Sequence, residues 1–231
     1  YTKVAVKDPD KCTNCGLCYE NCRFDAIDRE YQIDPLQCEG CGVCEFVCPQ
    51  DAIEMTDEVS GHSYRSTTRY GPLAHAELKP GGENSGRLVT KVKQNAQELA
   101  TEAGKDLIVI DGSPGMGCPV IASLANVDLA LIVTEPTLSG IHDLKRIIGV
   151  AHHFNVLPMI VINKFDLSSK NTIEIEKYAD ENKIKVLGKI PYDEKVTKAM
   201  IAGKSILEFD PDCEVSHEMT DIWEKAWNEV N

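Results

Sequence analysis

Residues 12–22 read CTNCGLCYENC and residues 38–49 read CEGCGVCEFVCP. Each stretch has the spacing C-x2-C-x2-C-x3-C, through Cys12, Cys15, Cys18 and Cys22, then Cys38, Cys41, Cys44 and Cys48. Shifting the chain by 26 residues superposes more than the thiols: Asp8-Pro9 falls on Asp34-Pro35, Gly16 on Gly42, and Asp25-Ala26-Ile27 on Asp51-Ala52-Ile53. The segment is a duplicated unit, and its two halves are expected to fold alike.

Three thiolates two residues apart must curl around one corner of a compact inorganic core, and a glycine after the second cysteine lets the backbone wrap it closely. With Pro49 following Cys48, the second quartet completes the bacterial ferredoxin run, in which the fourth cysteine ligates the other cluster. The spacing therefore predicts two [4Fe-4S] clusters, one on Cys12, Cys15, Cys18 and Cys48, the other on Cys38, Cys41, Cys44 and Cys22. The fourth cysteine is expected at the start of a short helix. Arg23 stands where the second quartet has Pro49, a departure expected to expose or tune the second cluster differently. A disulfide framework would need an oxidising compartment and a small secreted chain. Structural zinc is the nearer rival, but its paired C-x2-C knuckles usually stand about a dozen or more residues apart.

Around this segment lie 231 residues, enough for one or two domains, with 37 acids against 24 bases and a formal net charge of −13. Such a balance argues against duplex nucleic acid, which requires a basic footprint. No apolar run reaches the roughly 20 residues of a membrane span, and Tyr1-Thr2-Lys3-Val4 shows no signal peptide, so a cytoplasmic location is expected. Residues 1–60 carry 13 acids and 5 bases. The cluster segment is the acidic part, and a redox partner with a basic docking face is the matching expectation.

From Ile53 to Leu78 the pattern is strand-like, broken at Gly61 and Gly71-Pro72, and predicts a connecting hairpin. Beyond residue 80, apolar strands at Asp106–Asp111 (DLIVID), Leu129–Thr134, Met159–Asn163 and Lys185–Ile190 alternate with helices. The helices are expected at Ser85–Ala103, Pro119–Ala125, Ser139–Phe154, Thr172–Asn182, Glu194–Ala202 and Glu214–Val230. Continuous apolar strands between amphipathic helices predict an α/β domain, a mostly parallel sheet with helices on both faces, joined to a small α+β cluster domain. The expected division is 1–60 for the clusters, 61–80 for a strand-rich connector and 81–231 for the α/β domain.

Ligands in such sheets bind beyond the carboxyl ends of the strands. Three of those ends carry suggestive chemistry. DLIVID ends in Asp111 and enters the glycine-rich turn Gly112–Gly117, which can place a carboxylate near Mg²⁺ and N–H groups near phosphate, or can be a tight turn with a capping acid. The third strand ends in Asn163-Lys164-Phe165-Asp166, the N-K-x-D pattern that holds a base in many nucleotide-binding proteins, and the fourth ends in Pro191-Tyr192-Asp193.

Together, DLIVIDGSPGMGCPVIASL, ALIVTEPTLSGIHDLKR, VINKFDL and KIPYDEKVTKAMIAGK resemble the MinD/Mrp family of deviant P-loop ATPases, specifically members with an inserted two-cluster ferredoxin domain. The resemblance implies bound ATP or ADP with Mg²⁺. It implies that Asp111 lies near Mg²⁺ and the attacking water, that Gly115 approaches the γ-phosphate, and that Asn163, Asp166 and Pro191 meet the base. A homodimer is among the assemblies it implies. It also implies a phosphate-binding loop of the form K-G-G-T-G-K-[ST] ahead of the cluster segment. No such loop occurs in these 231 residues, and a fragment lacking its first strand is the expectation. Gly203-Lys204-Ser205 mimics the end of that loop in the context of a helix end, and Gly81–Leu88 has G-x4-G but lacks the hydroxyl that would follow it; a helix cap at Asn84 or Ser85 is expected there instead.

Of the remaining cysteines, Cys118 is expected as a buried small hydrophobe and Cys213 as incidental. Trp223 and Trp227, at i and i+4, are expected to form a packing stripe on the last helix. The function expected is nucleotide-gated electron delivery, against a ferredoxin-type carrier with a docking domain, or a cluster assembly factor.

Overall fold

The structure is a computed structural model that describes residues 1–79 and 86–230, and its backbone divides into two compact units, Tyr1–Val109 and Ile110–Asn231. In the first unit, β1 (Thr2–Lys7) pairs antiparallel with β2 (Ile53–Glu58), Lys7 opposite Ile53. Between them lie α1 (Leu17–Asn21) and α2 (Val43–Phe46), each entered through a left-handed glycine, Gly16 at φ 85° and Gly42 at φ 75°. The 26-residue period is written in the backbone. The N–H of Asp8 donates to the carbonyl of Ala52, and that of Asp34 to Ala26, each at 2.8 Å. Left-handed residues recur at Asn14 and Gly40 and at Asp25 and Asp51, and the Lys7–Ile53 pairing recurs as an isolated bridge between Ile33 and Ile27. Val4, Ala5, Ala26, Ile27, Ala52 and Ile53 are buried and form the small core under both halves.

The first unit also holds the hairpin β3 (Gly61–Thr68) and β4 (Gly71–Leu78), turned at Arg69-Tyr70 and packed by α3 (Gly86–Glu102). Arg65 reaches from β3 to Glu98, at 3.4 Å, and to Glu102 of that helix. The expected caps at Asn84 and Ser85, and the glycines 81 and 82, lie outside the described residues.

Residues 106–111 correct the sequence reading. DLIVID forms no strand; Leu107, Ile108 and Val109 are exposed, and the segment straddles the division between the units. Its apolar run expresses a requirement for burial, but a strand exists only where a neighbour supplies a hydrogen-bonding ladder.

The second unit is built on three parallel strands in the order β5 (Leu129–Thr134), β6 (Leu157–Asn163) and β7 (Lys185–Ile190). Central β6 is buried on both faces, as parallel strands between helix layers must be. Ile160 and Ile162 meet Ile141, Leu144 and Ile148 of α5 (Leu138–His153) and Ile175 and Ala179 of α6 (Ser169–Glu181). Met159 and Val161, pointing the other way, meet Ile222 of α9 (Glu214–Val230). The shorter α4 (Cys118–Leu124), α7 (Glu194–Ile201) and α8 (Ile206–Phe209) complete the unit. The result is the expected α/β layering. Gly203, at φ 65°, closes α7, and Ser205 opens α8 with a capping box to Glu208, so Gly203-Lys204-Ser205 is indeed a helix junction.

Two small expectations fail. Trp223 and Trp227 stack on each other at 6.1 Å but stay half exposed, and Ile222 and Ala226 do the packing. Cys118 is exposed, whereas Cys213 is a buried member of the cluster formed with Ala199, Ile206 and Val215.

Candidate metal centre and nucleotide edge

The fourth cysteine of each quartet does not start a helix. Gly16 and Gly42 start α1 and α2, so Cys18 and Cys44 ride on the first turns. Cys22 is the C-cap of α1, in extended backbone, and Cys48 stands just beyond α2. Each fourth thiol thus lies past the end of its own helix.

Two pockets collect the eight thiols. One is lined by Cys12, Cys15, Cys18 and Cys48; the other by Cys38, Cys41, Cys44 and Cys22. Each draws three thiols from one half of the repeat and one from the other. All eight cysteines are free, with Cys15 and Cys41 exposed at equivalent positions. Among the described residues no three His, Cys, Asp or Glu side chains converge on a point one metal ion could occupy. A single zinc would need four sulfurs about 2.3 Å from that point, whereas thiols spread around a pocket suit a polynuclear core.

The thiols receive N–H groups from the fold. The amide of Ala52 donates to Cys48 Sγ at 3.3 Å and that of Ala5 to Cys38 Sγ at 3.5 Å. Burial pushes the Cys18 thiol up, and pushes Cys44 up to about 11, partly offset by backbone N–H groups at Tyr19 and Glu45. Desolvation at both positions disfavours the charged thiolate.

In the second unit the ends of β6 and β7 lie side by side, and an ion pair links the first to Glu135 beyond β5. Asn163 ends β6 opposite Ile190 of β7. Asp166 Oδ1 accepts the N–H of Tyr192 at 2.8 Å, which brings Pro191 and its loop beside the N-K-x-D turn. Lys164 sits in the left-handed region at φ 52°, and its Nζ lies 2.7 Å from Glu135 Oε1 at the end of β5. That hydrogen bond raises the Lys164 pKa. Glu135, which directly follows Thr134 at the end of β5, is the member sequence reasoning missed. Asp111 and Gly115 stand on the exposed stretch before α4, Gly115 left-handed at φ 88° with open space where a Cβ would be.

Comparisons with known proteins match a 4Fe-4S domain and a nucleotide-binding domain. A 4Fe-4S binding domain model matches residues 5–28, and a CobQ/CobB/MinD/ParA nucleotide binding domain model matches residues 22–206. An uncharacterized protein of Methanocaldococcus jannaschii is 39% identical over 216 residues, covering 94% of this chain and 72% of its own length. The iron-sulfur cluster carrier protein of Aquifex aeolicus is 28% identical over 125 residues, 48% of this chain and 34% of that protein. Among solved structures, the MinD cell division protein of Aquifex aeolicus aligns with a TM-score of 0.55 at 20% identity, covering 71% of this chain and 68% of that one. No helix among the described residues is long and apolar enough to cross a membrane. The chain belongs to the CobQ/CobB/MinD/ParA nucleotide-binding domain family and carries a 4Fe-4S binding domain within it.

Proposed function

We propose that this protein is a cytoplasmic electron-transfer protein whose two [4Fe-4S] clusters deliver electrons under the control of nucleotide bound by the MinD-like domain. The observation that carries the reading is the pair of pockets, each lined by three thiols of one half and the fourth of the other. Clusters held in this way supply one-electron chemistry, while the chain supplies orientation, spacing and electrostatics. The acidic character of residues 1–60 suits docking to a basic redox partner. The strand ends at Asn163, Asp166 and Pro191 form the edge that would meet the base, with Asp111 and Gly115 assigned to Mg²⁺ and phosphate.

The test begins with anaerobic purification and metal analysis. The reading requires close to eight irons per chain and a broad absorbance near 400 nm; zinc in the same sites, or four irons, refutes the two-cluster assignment. Cys48→Ser is expected to remove about half the iron and leave the other cluster intact. If both clusters are lost, or neither, the crossed ligation fails. Gating is tested by the rate at which the reduced protein passes electrons to an acceptor with and without MgATP; an unchanged rate leaves a ferredoxin-type carrier with a docking domain.

Resemblance to an iron-sulfur cluster carrier, together with exposed Cys15 and Cys41, supports a second reading, transfer of whole clusters to client proteins. Release of iron and sulfide to an apo-ferredoxin within minutes would favour it. Clusters retained through repeated reduction favour electron transfer.

A further inference from the structure

The duplication allows the two pockets to be compared position by position, because residues 26 apart occupy equivalent places. Thr13 in the first pocket corresponds to Glu39 in the second, Asn14 to Gly40, Gln50 to Phe24, and Tyr31 to Ala5. At every one of these positions the first pocket has an uncharged side chain that can donate a hydrogen bond. The second has a carboxylate, no side chain, a phenyl ring and a methyl group.

The polar groups lie close to the cluster site. Cys12 Sγ and Asn14 Oδ1 are 3.5 Å apart; when Cys12 is a thiolate, the same amide turned over presents its N–H to the sulfur. Tyr31 Oη stands 3.5 Å from where a Cβ on Gly16 would lie, over the backbone that wraps the first pocket. The second pocket cannot copy this arrangement. A Cβ on Gly40 would stand 2.2 Å from the carbonyl oxygen of Lys3, so no side chain fits where Asn14 sits in the first.

Reduction adds one negative charge to a cluster. Hydrogen bonds to its sulfurs stabilise that charge, and a nearby carboxylate opposes it. Exposure does not separate the two sites, since Cys15 and Cys41 are exposed alike. Arg23, beside Cys22, is exposed and is not among the residues lining the second pocket. Resting on the two-cluster reading, we infer that the sites are unequal by construction: the site of Cys12, Cys15, Cys18 and Cys48 has the higher reduction potential, and Thr13, Asn14, Tyr31 and Gln50 against Glu39 and Phe24 set the difference. A single electron supplied by an external reductant therefore settles on the first site, and the second is reduced only by a stronger donor.

The experiment is a dithionite titration of the full chain with its iron in place, followed by EPR, with metal content measured first. Fewer than two clusters by iron analysis refutes the two-cluster reading itself. Given two clusters, two separate one-electron waves are expected. Cys48→Ser should abolish the higher wave. Tyr31→Phe combined with Asn14→Gly should lower the higher wave alone, and Glu39→Thr should raise the lower wave alone. Coincident waves, survival of the higher wave in Cys48→Ser, or substitutions that move the opposite wave would overturn the assignment.

Discussion

Gly40 occupies a position that no other residue can take. It is left-handed at φ 62°, and a Cβ would collide with the backbone of Lys3 at 2.2 Å, an atom that β1–β2 pairing holds in place. Its repeat mate Asn14 tolerates the same backbone at φ 55° and contributes a side chain to the first pocket. Gly40→Ala is expected to displace β1 from the turn between Cys38 and Cys41. The purified protein should then retain about half its iron, with the loss confined to the second site. Asn14→Ala, with no such collision, should keep the full complement, so paired iron analyses of the two variants separate collision from backbone strain.

Among the elements, β7 and α9 approach through another glycine. A Cβ on Gly188 would lie 2.5 Å from Ile222 Cγ1, and Ile222 is buried against Met159, Val161 and Leu187. Gly188→Ala should therefore overpack the α9 face of the sheet and lower stability by about 1–3 kcal/mol, measured as a shift in the urea midpoint. The same substitution at Gly149, with nothing within 4 Å of its Cβ, should leave the midpoint unchanged or raise it. Strands Leu129–Thr134 and Lys185–Ile190 were legible to the residue, and the helices to within a few, because burial on both faces leaves an unbroken apolar run between periodic segments. DLIVID bears the same signature and forms no strand, because periodicity reports what a segment would bury and is silent about its ladder partner. The fourth cysteines were misplaced for a related reason. Spacing fixes which thiols can share a cluster, whereas the helix start is set by the left-handed glycines.

For the molecule as a whole, surface ion pairs contribute to its response to pH. Lys195 at the start of α7 bonds Asp210 beyond α8 at 2.7 Å. The bond from Lys195 holds the Asp210 carboxyl below its ordinary value, and the bond to Asp210 holds the Lys195 ammonium above its own. A carboxyl that binds its proton less readily when folded stabilises the fold fully above the unfolded value, about pH 4, and loses that contribution as pH falls through the lowered value. The lysine's share is whole below about pH 10 and is lost as pH rises through its raised value. Thermal midpoints should therefore fall on both the acid and the alkaline side, and Lys195→Met should lower the plateau slightly and flatten both limbs by the same amount. Equal slopes in the variant and the parent would remove this pair from the acid and alkaline limbs.

The outer edge of β5 has a consequence for behaviour in solution. Its neighbour on one side is β6; on the other side its peptide groups form no ladder among the described residues, and Leu131 and Val133 are exposed at 40% and 59%. Such an edge is a template that any extended chain can read. Crowding these molecules together favours growth of the sheet from one copy to the next, so colloidal stability depends on keeping that edge covered and on the repulsion between molecules that each carry 13 excess negative charges.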